Sequence, residues 1–129
     1  MELIYGVDHY KKRSQGLYLA LGNFDGVHIG HQQLIDQAVK KAKDNQGLSA
    51  AFIFEPHPSK ILHPEKAPKM LITAEKKARL LKERGLDILI YQHFNRDIAG
   101  WTPEHFAEEI LVGKLGVKEV FVGFNYSFG

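Results

Sequence analysis

Residues 22–31 read Gly-Asn-Phe-Asp-Gly-Val-His-Ile-Gly-His, and this stretch decides the fold. It follows a short apolar run at residues 17–21, which predicts a buried strand. It leads into residues 30–45, where apolar side chains recur every three or four positions, as in an amphipathic helix. Its three glycines allow a sharp turn and close approach of a ligand, and the helix start offers free N–H groups. The stretch therefore predicts an anion site at a strand–helix junction, suited to phosphates.

Two histidines lie in this junction, three residues apart. The rings of His28 and His31 can share one side of the helix start, where each can donate to a phosphate oxygen. Two other interpretations remain open: a tight turn in which His28 caps or packs, and a metal site formed by Asp25, His28 and His31. A Walker A loop is excluded because no Gly-Lys-Ser/Thr follows, and the dinucleotide fingerprint Gly-x-Gly-x-x-Gly is also absent.

The rest of the chain alternates between strand and helix patterns. The predicted order is β-α-β-α-β-α-β, which indicates a doubly wound, Rossmann-like α/β sheet of parallel strands covered by helices on both faces. We predict strands at residues 17–21, 49–54, 86–91 and 117–122, and helices at 30–45, from a Thr73 cap to Gly85, and from a Thr102 cap to just before Gly116.

In such a sheet, ligands bind beyond the carboxyl ends of the strands. The segments expected at that edge are residues 22–31, 55–58, 92–101 and 123–129. The third of these is polar and long, with Trp101 at its end. It is either a flap over the site or a loop whose tryptophan forms a hydrophobic staple before the Thr102 cap, and we favour the staple.

Composition limits the class of protein. The 129 residues suit a single domain spanning 1–129, and 44% hydrophobic residues suffice for a core. The net charge of +2 demands neither a nucleic-acid nor a membrane partner, and the lack of cysteine excludes disulfides and thiolate zinc sites. No leader and no apolar run near the roughly 20 residues of a membrane span is present, which predicts a soluble, cytoplasmic protein.

Four motifs then carry a resemblance to a known family. His28-Ile29-Gly30-His31 matches the HxGH signature of the nucleotidyltransferase superfamily, and residues 22–32 as a whole resemble the bacterial FAD synthetase (FMN adenylyltransferase) module. Phe54-Glu55-Pro56-His57-Pro58 resembles its second motif. Leu71-Ile72-Thr73 with Lys76, and residues 122–129, resemble its third and last motifs. The resemblance extends over essentially the whole chain.

This resemblance implies that the protein converts FMN and ATP, with Mg²⁺, into FAD and pyrophosphate by direct in-line attack. It implies catalytic roles at the phosphates for His28 and His31. The implied ATP-binding residues are Gly22, Asn23, Phe24, Asp25, Gly26, His28, Gly30 and His31. The implied FMN-binding residues are Phe54, Pro56, His57, Pro58 and Asn125. No side chain is assigned as a metal ligand.

Several of these residues have an equally simple structural interpretation. The Asn125 amide can donate and accept, which suits the flavin edge, but asparagine is also a common turn residue. Phe54 and the two prolines can form an apolar wall for the flavin ring, or simply a strand end and a rigid turn. His57 either reaches a phosphate or is a solvated loop residue, and the second is favoured.

The sequence also departs from the family. Tyr126 and Ser127 are mild changes in the last motif, but the Ser/Thr-rich run followed by arginine, expected after the fourth strand, is absent. The family's riboflavin kinase domain is absent too. We therefore expect the domain to be truncated at its C-terminus, with a riboflavin kinase domain in the full-length protein. The alternatives are a related cytidylyl- or adenylyltransferase with another phosphorylated acceptor, and a non-catalytic flavin- or nucleotide-binding module.

Overall fold

The computed structural model describes residues 1–22, 29–55 and 74–123. These residues form a five-stranded parallel sheet with helices on its two faces. The strands are β1 (Glu2–Tyr5), β2 (Leu17–Leu21), β3 (Leu48–Glu55), β4 (Ile88–His93) and β5 (Val117–Val122). The helices are α1 (Ile29–Asp44), α2 (Ala74–Glu83), α3 (Arg96–Ala99) and α4, which starts at Pro103–His105 and continues as wide π-helical turns over Phe106–Lys114.

The strands lie in the order β1-β4-β3-β2-β5. Starting from β2, the chain adds β3 and then β4 on one side, and it returns to place β5 on the other side of β2. The strand order thus reverses at β2. In open parallel sheets such a reversal leaves a crevice at the carboxyl ends of the two strands concerned, which is where ligands bind.

Each face of the sheet has its own hydrophobic core, so the prediction of helices on both faces is confirmed. One core joins α4 to inward side chains of β2, β3 and β4, among them Leu19, Phe52 and Ile90. The other joins α1 and α2 to side chains such as Ala51 and Leu89. Successive strand residues point to opposite faces, so the apolar runs of β2, β3 and β4 are buried on both sides.

The predicted strand count was wrong, because β1 was missed. Residues Glu2–Tyr5 pair in parallel with β4, yet only Ile4 of this strand is buried. A four-residue edge strand with one buried side chain gives no clear periodic signal in the sequence. Strand β4 also begins two residues later than predicted and extends to His93, so Gln92 and His93 belong to the sheet rather than to a loop.

The start of α4 follows its sequence pattern closely. The Thr102 hydroxyl accepts a hydrogen bond from the backbone N–H of His105 at 3.0 Å, with Pro103 in the first turn. The Trp101 and Phe106 rings stack with centroids 6.3 Å apart. Because these residues flank the cap at the staple positions, the staple is confirmed.

The segment after β4 contains the short helix α3, capped by the Asn95 side chain, which accepts from the Ile98 N–H.

We expect Thr102→Ala to lower the free energy of unfolding by about 1 kcal/mol, because an N–H of the first turn loses its acceptor. Urea denaturation followed by circular dichroism measures the change. Thr102→Ser retains a hydroxyl and should lose much less stability. Equal losses in both variants would contradict a capping role for the hydroxyl.

Within the described residues, no helix is both long enough and apolar enough to cross a membrane.

Candidate nucleotide site

All described strands run parallel, so their carboxyl ends meet at one edge of the sheet. Strand β2 ends there at Leu21, and its register partner on β5 is Val122. On the other side, β3 reaches Glu55, which pairs with His93 of β4. The four segments that the sequence placed at this edge therefore do leave the sheet together. Gly22 and Gly123 are the described residues that begin two of them, side by side on the strands where the order reverses.

Most of the predicted ligand-binding residues lie outside the described part of the chain. This holds for Asn23, Phe24, Asp25, Gly26 and His28 of the first motif. It also holds for Pro56, His57 and Pro58 of the second motif and for Asn125 of the last. Their contacts with ATP or FMN stay predictions.

The helix that follows the first motif is described, and its start coincides with the strand–helix junction predicted as the anion site. Helix α1 starts at Ile29, one residue before the predicted start, and the backbone of Gly30 and His31 lies in its first turn. The first N–H groups of a helix have no partner within it, and the helix dipole makes that end positive. No acidic residue lies in the first turn of α1. The positive end is therefore not compensated by a carboxylate of its own turn, and it faces the edge where β2 and β5 end.

Phe54 lies in the core rather than on an open wall. Its side chain is 4% exposed and belongs to a cluster of aromatic rings on the α4 face. The Phe54 ring meets those of Phe52 and Phe94 edge to face, at centroid distances of 5.2 and 5.4 Å, and that of Phe106 at 6.2 Å. This packing fits the structural interpretation of Phe54 as a strand end, and its contact with the flavin stays a prediction.

A cavity of about 440 Å³ lies at the same sheet edge, at the ends of β1 and β4 and beside the start of α2. Its described walls include Tyr5 and Tyr91, whose rings stack at 5.7 Å, and the polar side chains of Glu75, Gln92 and His93. None of the described lining residues belongs to the predicted ATP or FMN set. The cavity was not predicted from the sequence, because β1, whose end forms one of its walls, gives no clear periodic signal.

Metal ligands were not assigned from the sequence, and the described residues add none. Residues 1–22, 29–55 and 74–123 contain no group of three or more His, Asp or Glu side chains placed to hold a metal ion.

Fold and site define a class: a Rossmann-like α/β domain that presents a strand–helix junction at its point of strand reversal. A crystal structure described as that of a macrolide-efflux protein from Streptococcus pneumoniae has the same fold. It superposes with a TM-score of 0.82 at 27% sequence identity, and the match covers this whole chain and 43% of that one.

The family follows from the sequence comparisons. The model of the FAD synthetase family matches residues 10–129. Bifunctional riboflavin kinase/FMN adenylyltransferases are similar to the chain along its length: that of Buchnera aphidicola (subsp. Schizaphis graminum) is 35% identical over all of this chain and 41% of the relative. That of Bacillus subtilis is 39% identical over 86% of this chain and 35% of the relative. This chain belongs to the FAD synthetase family of nucleotidyltransferases, and it spans about two fifths of the length of these relatives.

Proposed function

We propose that this chain transfers the adenylyl group of ATP to FMN in flavin biosynthesis, giving FAD and pyrophosphate. A phosphate oxygen of FMN attacks the α-phosphorus of ATP. The bond from that phosphorus to the bridging oxygen breaks, and pyrophosphate leaves with that oxygen. Family membership supports this reaction, and so does the joint exit of three of the four motifs, those at residues 22–32, 54–58 and 122–129, from one edge of the sheet. That shared edge is the observation that carries the proposal.

The reaction needs positioning and charge neutralisation rather than a covalent intermediate. In the proposed mechanism, His28 and His31 donate to the triphosphate beside the positive end of α1. Residues 22–26 and Gly30 shape the pocket for ATP. Phe54, Pro56, His57, Pro58 and Asn125 are the proposed FMN-binding residues. Mg²⁺ would enter with the ATP phosphates as part of the substrate.

The assay for this proposal uses the full-length gene product with ATP, FMN and MgCl₂. We expect FAD and pyrophosphate to form in equal amounts. Parallel reactions with glycerol phosphate, nicotinamide mononucleotide or phosphopantetheine as acceptor, and with CTP in place of ATP, test for a related transferase. Preferential use of one of these acceptors would overturn the assignment of FMN. Tight binding of FMN or ATP without any product would instead indicate a non-catalytic module.

The names of the relatives support a further part of the proposal. We propose that the full-length protein carries a riboflavin kinase domain, which would supply FMN to the adenylyltransferase domain. We also propose, from the sequence, that the full-length protein is located in the cytoplasm. Feeding riboflavin in place of FMN tests the first point, because FAD should then form only after FMN appears.

A further inference from the structure

Strand β5 forms one edge of the sheet, and among the described strands it pairs with β2 alone. Its last three residues, Val120, Phe121 and Val122, form an uninterrupted apolar run. Such runs are typical of parallel strands that are buried on both faces, whereas exposed edge strands usually carry charged side chains or proline. The end of β5 therefore has the sequence of an interior strand in an edge position.

The exposure of these side chains agrees with that interpretation. Val122 pairs with Leu21 of β2, yet its side chain is 45% exposed, whereas Leu21 is 6% exposed. Val120 and Phe121 are only partly buried, at the rims of the two cores, while their partners on β2 are fully buried. The described residues thus leave apolar surface of β5 uncovered on the side away from β2.

The register also shows which face each side chain of β5 is on, because residues paired in a parallel sheet point to the same face. Val122 lies beside Leu21, which belongs to the core on the α4 face. Glu119 is on the other face, where the Lys41 ammonium of α1 lies 3.9 Å from its carboxylate. The two positions are exposed to a similar extent, with 45% for Val122 and 41% for the side chain of Glu119.

The crossovers of the chain indicate where a further segment would pass. Connections between parallel strands of one sheet are nearly always right-handed, so the direction of the step across the sheet decides which face carries the connection. The steps from β2 to β3 and from β3 to β4 run in one direction, with α1 and α2 on one face. The step from β4 to β5 runs in the opposite direction, with α4 on the other face. A step from β5 to a strand beyond it would repeat this second direction and would therefore cross the α4 face.

We propose that a further parallel strand pairs with the outer edge of β5 in the full-length protein, and that the segment leading to it covers Val120 and Val122 on the α4 face. The inference rests on the expectation that the domain continues beyond residue 129. The relatives leave room for such a segment, because this chain spans 41% of the relative from Buchnera aphidicola and the family model still matches at residue 129. The covering segment needs an apolar side toward β5, which an amphipathic helix supplies.

The test measures how fast a thiol on β5 reacts in the full-length gene product. The variants Val122→Cys and Glu119→Cys place single thiols on opposite faces of the same strand, and residues 1–129 contain no other cysteine. Each protein is treated with N-ethylmaleimide, and peptide mass spectrometry gives the labelling rate at each site. We expect Val122→Cys to react about tenfold or more slowly than Glu119→Cys, because a covered site reacts only when the covering segment opens. The ratio should not change on dilution.

Hydrogen exchange of the unsubstituted full-length protein gives a second measurement that needs no variant. Strand β2 pairs on both sides, with β3 and with β5. If β5 is also paired on both sides, the backbone N–H groups of residues 117–122 should exchange as slowly as those of β2.

Equal labelling rates at the two positions, whether fast or slow, would overturn the inference, and so would faster labelling of Val122→Cys. Much faster hydrogen exchange in β5 than in β2 would overturn it as well. Protection of Val122→Cys that disappears on dilution would mean that a second copy of the protein covers β5 instead. None of these results bears on adenylyl transfer, because the assay of FAD formation tests that proposal separately.

Discussion

His28→Ala in the full-length protein is expected to lower the rate of FAD formation by about 10²–10³, the usual cost of removing one donor that stabilises charge in the transition state. The physical reason is that His28 directly precedes the first residue of α1, where the helix dipole is positive. The first turn of that helix carries no acidic side chain, so no carboxylate of that turn opposes a phosphate bound there. Steady-state kinetics with ATP, MgCl₂ and FMN measure the change.

A matched control for this variant is His105→Ala. His105 is an exposed histidine in the first turn of another helix, α4, where its backbone N–H serves the Thr102 cap. Alanine keeps that N–H, so the rate of FAD formation should stay close to the wild-type value. If His28→Ala retained the full rate, the phosphate-donor role would have to be abandoned. If His28→Ala instead removed a bound metal, detected by elemental analysis, the metal interpretation would replace it.

The parts of the fold that the sequence predicted well are those whose signal is local. The apolar run of β2 lies between Gly16 and Gly22, and the structure has a strand at those residues. The Trp101-Thr102-Pro103 start of α4 combines a staple, a cap and a proline, and all three lie within a few residues of one another. The shared edge of the four segments at residues 22–31, 55–58, 92–101 and 123–129 followed from the alternation of strands and helices alone.

The parts that could not be predicted depend on contacts between distant segments. Strand β1 exists because Glu2–Tyr5 pair with β4, more than 80 residues away. Lys77 is buried, although its own sequence neighbours suggest a solvated polar face. The residues Phe106, Ile110 and Leu111 supply the buried face of the π-helical turns, and from the same residues the sequence predicted an ordinary α-helix. The contacts of the first motif lie outside the described residues, so the predicted roles there rest on the resemblance.

Phe54 has two predicted roles, one in packing the core and one in contacting the flavin, and different substitutions can separate them. Phe54→Ala should lower the free energy of unfolding by about 3–5 kcal/mol, since a ring packed against three other aromatic rings is lost from the core. This loss follows from packing alone. Urea denaturation measures it, and a loss below about 1 kcal/mol would contradict the buried position of the ring.

Phe54→Leu tests the flavin role, because leucine keeps an apolar side chain and costs less stability. Phe52→Leu is the matched control: Phe52 lies two residues earlier on the same face of β3, in the same aromatic cluster and farther from the carboxyl edge. If Phe54 contacts the flavin ring, Phe54→Leu should raise KM for FMN several-fold more than Phe52→Leu, with KM for ATP unchanged in both. Both substitutions remove one ring from the same cluster, and they differ mainly in their distance from the edge where FMN is proposed to bind. Equal values of KM for FMN in the two variants would therefore mean that Phe54 is a core residue only.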